Sequence, residues 1–262
     1  MIFQNIIRDS LGEKEWIWFW NAIQKILNSF DEKEFIEDFA LAGKYLKAKA
    51  VMKDAGDLPR NIVQATLAEI GRVEMLLSLA SISPSFLAEF VHRLYSMGDN
   101  KEQIAILKAL PLLPDPQSFL PVALEAHRSN VTTVFSALAC DNPFPADFME
   151  EFHFNNLVLK ALFVGLSLAC IHNLEKRLNP KMAQMVQDWI LEREAAHRPI
   201  NPEVWMVVVP FAKDAWLEKV YHYLSHPQPE HRYWAALSLG KTREEKHLPY
   251  LEKQESEEKD AL

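Results

Sequence analysis

The sequence predicts an all-α fold of stacked antiparallel helical hairpins, wound into an αα-superhelix. Apolar residues recur at spacings of three and four along most of the chain, the period of a helix that buries one face. Gly is scarce, at 7 of 262 residues, whereas tight β-turns need residues that tolerate positive φ. Prolines repeatedly follow a capping residue, the order typical of a helix start. These pairs are Ser83-Pro84, Asp115-Pro116, Asn142-Pro143, Asn179-Pro180 and Asn201-Pro202. We expect about a dozen helices in a single domain, residues 1–262.

The first third of the chain carries clear helix-start signals. Asp31 with Glu34 three residues later predicts a capping box that opens a helix. A further helix is predicted to begin around residue 59 and to turn Thr66 inward. Glu69 interrupts the apolar face of that helix, so we expect Arg72, one turn later, to be its partner.

More polar side chains lie on otherwise apolar helix faces in residues 140–212 than elsewhere in the chain. The helix over residues 154–169 has two adjacent apolar stripes, so we expect it to be the most buried helix, with Leu162 in the core. Asn156 and Lys160 lie on its remaining stripe. A buried ammonium needs a carboxylate, a ligand anion or water, so Lys160 belongs either to a structural ion pair or to a ligand cleft.

The next helix, predicted over residues 180–197, ends its apolar stripe at Arg193. The stem of this side chain can cover apolar surface while the guanidinium reaches a carboxylate, a helix C-terminus or a ligand. Downstream, Trp205 offers either a flat stacking wall or an aromatic residue for the core.

Residues 213–254 resemble a HEAT-type helical repeat unit. The similarity is strongest in Arg232, Ala235, Ala236, Leu239 and Gly240. Small alanines let the second helix of such a unit pack closely, and glycine suits the left-handed position that ends it. Residues 252–262 form an acidic tail that we expect to be frayed.

Composition and missing motifs exclude several classes of protein. A net charge of −8 disfavours a broad nucleic-acid surface. The longest uncharged apolar run, residues 161–171, is well short of the roughly 20 residues that span a bilayer. No signal peptide is recognisable, so the chain reads as cytoplasmic. The standard hydrolase, redox, zinc-protease and nucleotide motifs are missing, and no cofactor is predicted.

Histidine and cysteine do not predict a metal site or a disulfide framework. His222 and His226 lie one helical turn apart, near His231, but His226 precedes a proline at a predicted helix end. We therefore interpret them as ordinary helix-end histidines. Cys140 and Cys170 are far apart in apolar surroundings, which predicts free, buried thiols.

Three segments resemble the EboA family of metabolite traffic proteins, over residues 130–212. They read NPFPADFMEEFHFNNLVLKALFVG, NPKMAQMVQDWILEREAAHRP and PEVWMVVVPFA. The family's Asn-Gln-Met is replaced here by Asn155, Asn156 and Leu157, while Lys160 stays aligned. The resemblance implies a cytoplasmic protein that takes part in exporting a small secondary metabolite. It also implies two partners from the same gene cluster, a membrane prenyltransferase-like protein and a TIM-barrel metal hydrolase-like protein.

The leading hypothesis is a non-enzymatic binding or adaptor protein, which holds a small metabolite beside Lys160 or a partner protein on a solenoid surface. The alternative is an enzyme acting on an aromatic or isoprenoid-like metabolite, with Lys160, His172 and Arg193 lining its pocket. A third reading is a structural subunit whose interface buries the surplus aromatic residues. No catalytic residue is assigned. The candidate binding residues are Asn155, Asn156, Lys160, His172, Arg193, His197 and Trp205.

Overall fold

The computed structural model describes residues 3–47 and 60–257 and confirms the all-α class. These ranges contain seventeen α-helices and six short 3-10 helices, with no strand. Four of the α-helices have five residues or fewer. The chain divides into two compact units, residues 1–154 and 155–262. The single domain, the superhelix and the HEAT-like unit stay predictions.

The described residues of the first unit contain ten helices. They are α1 (Gln4–Ser10), α2 (Glu13–Ser29), α3 (Glu32–Tyr45), α4 (Arg60–Val63), α5 (Leu67–Ile82), α6 (Leu87–Met97), α7 (Asn100–Ala109), α8 (Leu120–Arg128), α9 (Thr132–Ala139) and α10 (Phe144–Phe148). Helix α5 lies at the centre and packs against α2, α3 and α7. Eleven of its sixteen residues are buried, because it is apolar on nearly all sides.

The start of α5 differs from the sequence prediction. Thr66 does not face inward but caps the helix: its hydroxyl accepts from the Glu69 amide, and the Glu69 carboxylate accepts from the Thr66 amide at 2.9 Å. Glu69 forms an ion pair with Lys108 at 2.7 Å rather than with Arg72. Arg72 is buried instead against α3, where its Nε donates to the Phe39 carbonyl at 2.9 Å. Residue 59, the predicted start of this helix, lies outside the described residues.

The capping residues before proline act in different ways. Asn179 and Asn201 cap the following helices through side-chain oxygens that accept backbone N–H groups. Asn142 is buried and donates to two carbonyls, those of Leu107 and Ala137, at 3.0 Å each. The other two pairs, Ser83-Pro84 and Asp115-Pro116, make no side-chain cap: α6 begins later, at Leu87, and Asp115 adopts φ 49°.

The second unit is built on the long helices α11, α13 and α16. Its helices are α11 (Glu151–Val164), which begins just before the division, α12 (Leu174–Arg177), α13 (Pro180–Ala195), α14 (Trp205–Val208), α15 (Asp214–Tyr223), α16 (Pro229–Thr242) and α17 (Leu248–Glu257). Gly240 lies within α16, and Arg243 takes the left-handed position after it at φ 57°, so the predicted role of Gly240 is wrong. Helix α17 runs through the first residues of the predicted tail, and residues 258–262 lie outside the described part.

Two further expectations are corrected. Helix α11, which carries Leu162, is not the most buried helix: six of its fourteen residues are buried, and Phe163 is 61% exposed. The expectation of free thiols is also wrong, because Cys140 and Cys170 are both disulfide-bonded. Within the described ranges, every helix is too short or too polar to cross a membrane.

Candidate functional site

The second unit contains a cavity of about 420 Å³ between α12, α14 and α16. This volume lies in the range of small-molecule sites in proteins. Five apolar residues line one part of its wall: Leu178, Met206, Pro210, Phe211 and Leu237. Five polar or charged residues complete it: Glu175, Ser238, Lys241, Thr242 and Glu244.

Helix packing explains why these residues face a common space. Helix α16 packs on α14 and on the 3-10 turn Val209–Phe211 that follows it. Ala235 and Leu239 of α16 are fully buried. The helical period then places Leu237, Ser238 and Lys241 on an adjacent stripe, which lines the cavity.

Ser238 is the most buried polar residue of the cavity wall. It is 4% exposed, and its Oγ has no hydrogen-bond partner among the described residues. A helical serine commonly donates to the carbonyl four residues earlier. Ser78 in α5, equally buried, does so to Glu74 at 2.8 Å. A buried hydroxyl without a partner costs about 1–3 kcal/mol, so Ser238 is a polar group that the fold leaves unsatisfied beside the cavity.

The charged groups of the wall are compensated in pairs. Lys241 forms an ion pair with Glu175, and Glu244 forms one with Lys246. The hydrogen bond from Lys246 lowers the pKa of Glu244. All four side chains are at least half exposed, so the pairs lie at the solvent-facing rim and add little stability.

None of the seven candidate residues from the sequence lines this cavity. Asn155 is 1% exposed and forms a reciprocal amide pair with Asn179: its Nδ2 donates at 3.1 Å, and its Oδ1 accepts at 2.9 Å. Because Asn179 also caps α13 through the Met182 amide, Asn155 stabilises a helix start. Its role in binding stays a prediction.

Three further candidates lie after the apolar stripe of α13. The Nε of Arg193 donates to the Pro199 carbonyl at 3.0 Å, and its guanidinium lies 5.3 Å from the centre of the Trp189 ring. This contact holds the chain that leaves the helix. His197 is exposed with φ 51°. Trp205 is fully buried and packs on Tyr223, with the ring centres 4.6 Å apart. It is therefore an aromatic residue of the core, the second of the two roles that the sequence left open.

The remaining candidates, Asn156, Lys160 and His172, are half-buried. Burial lowers the pKa of the Lys160 ammonium. This direction agrees with the expectation that the charge meets partly desolvated surroundings. Whether Lys160 serves the fold or a ligand stays an open prediction, as does binding by His172 and Asn156.

The histidines of the C-terminal helices pack as a ring cluster. The rings of His226 and Tyr223 are parallel at 5.1 Å, and His231 lies 4.3 Å from His226. Burial lowers the pKa of His231 to about 4, so this imidazole is neutral at pH 7. The described residues include no group of three or more His, Cys, Asp or Glu side chains suited to a metal ion.

Sequence reasoning missed Ser238, although the signal was present. The residue lies three positions after Ala235 and directly before Leu239, two residues recognised as packing positions of the HEAT-like helix. Ser238 is thus a polar residue on an apolar helix face, and Lys160 was selected from the sequence for the same reason. What the sequence did not contain was the cavity itself, because its wall comes from three segments distant in the chain.

The family model of the metabolite traffic protein EboA matches residues 1–209. The chain belongs to the EboA family. The match extends far beyond residues 130–212, on which the resemblance was based, and it includes Glu175, Leu178 and Met206. The opposite wall of the cavity, from Pro210 to Glu244, follows the part that matches the EboA family. No curated protein and no solved structure matches the chain.

Proposed function

We propose that this protein is a non-enzymatic binding protein of metabolite traffic that holds a small metabolite in the cavity of its second unit. One observation carries the proposal: a cavity of about 420 Å³ in the second unit, lined by five apolar and five polar or charged residues. The description of the EboA family supplies the biological context. The proposal keeps the binding function predicted from the sequence and moves the ligand from Lys160 to this cavity.

The contacts of Arg193 favour a binding protein over the alternative enzyme, in which Arg193 would line the pocket. The guanidinium of Arg193 is engaged by the Pro199 carbonyl and by the face of Trp189, so its main contacts stabilise the chain after α13. Ser238 has no base beside it, because its hydroxyl makes no hydrogen bond among the described residues, whereas a serine nucleophile needs a base.

Export of the metabolite, a cytoplasmic location and the two gene-cluster partners come from the family resemblance and are part of this proposal. The disulfide-bonded state of Cys140 and Cys170 runs against the cytoplasmic location, because disulfides are rare in reducing compartments. Alkylation of the protein in intact cells tests the location directly. Two modified thiols support the cytoplasm, and none supports an oxidising compartment.

The binding proposal is tested by native mass spectrometry of the protein purified from its source organism. We expect a small-molecule adduct on the wild type. Leu237→Trp replaces the leucine side chain with a bulkier indole ring at the cavity wall and should abolish the adduct. Met206→Trp fills the same space from α14 and serves if the first variant does not fold. Tyr233→Trp, at an exposed position of the same helix, is the matched control and should retain the adduct.

The outcomes separate clearly. Loss of the adduct in the cavity-filling variants, with retention in the control, supports the proposal. A wild-type protein without an adduct, or an adduct that persists in folded Leu237→Trp and Met206→Trp, contradicts it.

A further inference from the structure

We infer that the first unit carries a surface that binds the headgroup region of an anionic lipid bilayer. This surface, which we call the aromatic edge, joins the first half of α2 to the end of α3. Its members are Ile17, Trp18, Leu41 and Tyr45, bordered by Lys14, Lys44 and Lys47. The inference does not depend on the cavity of the second unit, so either proposal can fail without the other.

The aromatic edge exposes apolar side chains beside a pair of stacked rings. Trp18 and Tyr45 are half-buried and nearly parallel, with ring centres 4.4 Å apart and planes inclined by 14°. This stack joins α2 to the last turn of α3. Ile17, which directly precedes Trp18, is 49% exposed, and Leu41, one helical turn before Tyr45, is 38% exposed. Exposed apolar residues grouped around aromatic rings are typical of an interaction site.

A second pair of rings extends the surface along α2. Trp16 and Trp20, one helical turn apart, are half-buried and stack with ring centres 5.6 Å apart. Three of the seven tryptophans of the chain therefore lie within residues 16–20. Tryptophan and tyrosine concentrate at membrane–water interfaces, because an apolar ring with a polar N–H or O–H group suits the boundary between acyl chains and headgroups.

Three lysines border the rings. Lys14 lies one helical turn before Trp18, and Lys44 directly precedes Tyr45, with its Nζ 5.6 Å from the centre of the Tyr45 ring. Lys47 follows the end of α3. All three lysines are exposed, and none forms an ion pair within the described ranges. Their ammonium groups are therefore open to lipid phosphates.

The acids nearest to Ile17 and Leu41 along their helices do not cancel this positive charge. Glu13, one turn before Ile17, is paired with Arg8 at 3.3 Å. Glu37 lies two turns before Tyr45, towards the start of α3 and away from the lysines. The aromatic edge is thus a local excess of positive charge in a chain whose net charge is −8. Each such lysine strengthens binding to an anionic bilayer roughly fivefold.

The lysines favour a bilayer over a protein partner. Lysine is depleted in protein–protein interfaces, whose centres contain few charged residues. At a bilayer surface, by contrast, the stem of a lysine covers apolar surface while its ammonium stays at the level of the phosphates. Tryptophan, isoleucine and leucine beside lysine are the residue types that bind such an interface.

Sedimentation of the full chain with vesicles tests the inference. We expect phosphatidylcholine vesicles that contain phosphatidylglycerol to bind the protein at least about tenfold more tightly than pure phosphatidylcholine vesicles, with a smaller difference at high salt. Ile17→Glu and Leu41→Glu each place an acid on an exposed side chain and should weaken binding at least about tenfold. Met97→Glu adds the same charge at a 62% exposed position of α6 and is the matched control, which should bind as the wild type does.

A second set of variants tests the charge. Lys44→Gln combined with Lys47→Gln should weaken binding to the anionic vesicles roughly twentyfold and leave binding to pure phosphatidylcholine unchanged. Lys101→Gln, at an exposed position of α7, is the control and should change neither. Circular dichroism of each variant verifies that it is folded.

A wild type that does not sediment with the anionic vesicles overturns the inference, as does binding that persists in both Ile17→Glu and Leu41→Glu. An equal loss in Met97→Glu or Lys101→Gln also overturns it, because overall charge rather than the aromatic edge would then govern binding. If the wild type binds no vesicle but forms a dimer that Ile17→Glu dissociates, the aromatic edge binds a second copy of the chain instead.

Discussion

Ser238→Ala should make the protein more stable, because the fold buries the Ser238 hydroxyl without a hydrogen-bond partner among the described residues. Both Ser238 and Ser78 are 4% exposed within helices, which makes them a matched pair. Serine to alanine gains up to about 0.5 kcal/mol of helix propensity at either site. At Ser238 the change also removes an unpartnered buried hydroxyl, a cost of about 1–3 kcal/mol. At Ser78 it removes a hydrogen bond of 2.8 Å, worth about 1 kcal/mol.

We therefore expect the free energy of unfolding to rise by about 1–3 kcal/mol in Ser238→Ala and to fall by about 0.5 kcal/mol in Ser78→Ala. Urea denaturation followed by circular dichroism measures both values on ligand-free protein. A Ser238→Ala variant that is as destabilised as Ser78→Ala would refute the reasoning, because the hydroxyl would then have a partner within the fold.

Three further predictions concern the fold of the second unit. Asn155→Ala should lower the free energy of unfolding by about 2 kcal/mol, because it removes two part-buried hydrogen bonds to Asn179. The control Asn28→Ala breaks an exposed amide pair and should change the free energy of unfolding by less than about 0.5 kcal/mol in the same urea assay. The pKa of His231 is about 4 in the folded protein and about 6.5 in the unfolded chain. The free energy of unfolding should therefore be highest above pH 6.5 and fall by about 2–4 kcal/mol as the pH drops towards 4. His231→Leu should flatten this pH dependence, and the control His222→Gln, at an exposed position, should not. Arg243→Gly should raise the thermal midpoint and add about 0.5–1 kcal/mol to the free energy of unfolding, because glycine adopts the left-handed φ of 57° at this helix end without strain. A lower midpoint would show that contacts of the arginine side chain stabilise the fold by more than the backbone strain costs.

Local signals predicted much of the fold. The cap at Asn179 was predicted correctly, because capping depends on residues within one turn. The Glu69–Arg72 pair was predicted wrongly, since the actual partner, Lys108, lies 39 residues away in sequence. Periodicity also failed to identify the most buried helix. Helices α5 and α11 are both apolar on several sides, and only the arrangement of neighbouring helices leaves Phe163 of α11 exposed.

The site was harder to predict than the fold. Arg193 was chosen because a polar group at the end of an apolar stripe needs a partner, and Asn155 because it lies in the segment that resembles the EboA family. The fold itself supplies those partners, through Asn179 and Pro199. Ser238 meets the same criterion and has none among the described residues. A sequence shows which polar groups need partners, but tertiary packing decides which of them the fold leaves without one.

The most direct test of the central claim is a crystal structure of the protein purified with its native adduct. The account predicts ligand density in the cavity, in contact with Phe211 and Met206. An adduct bound elsewhere, with the cavity empty or filled by side chains, would contradict the account.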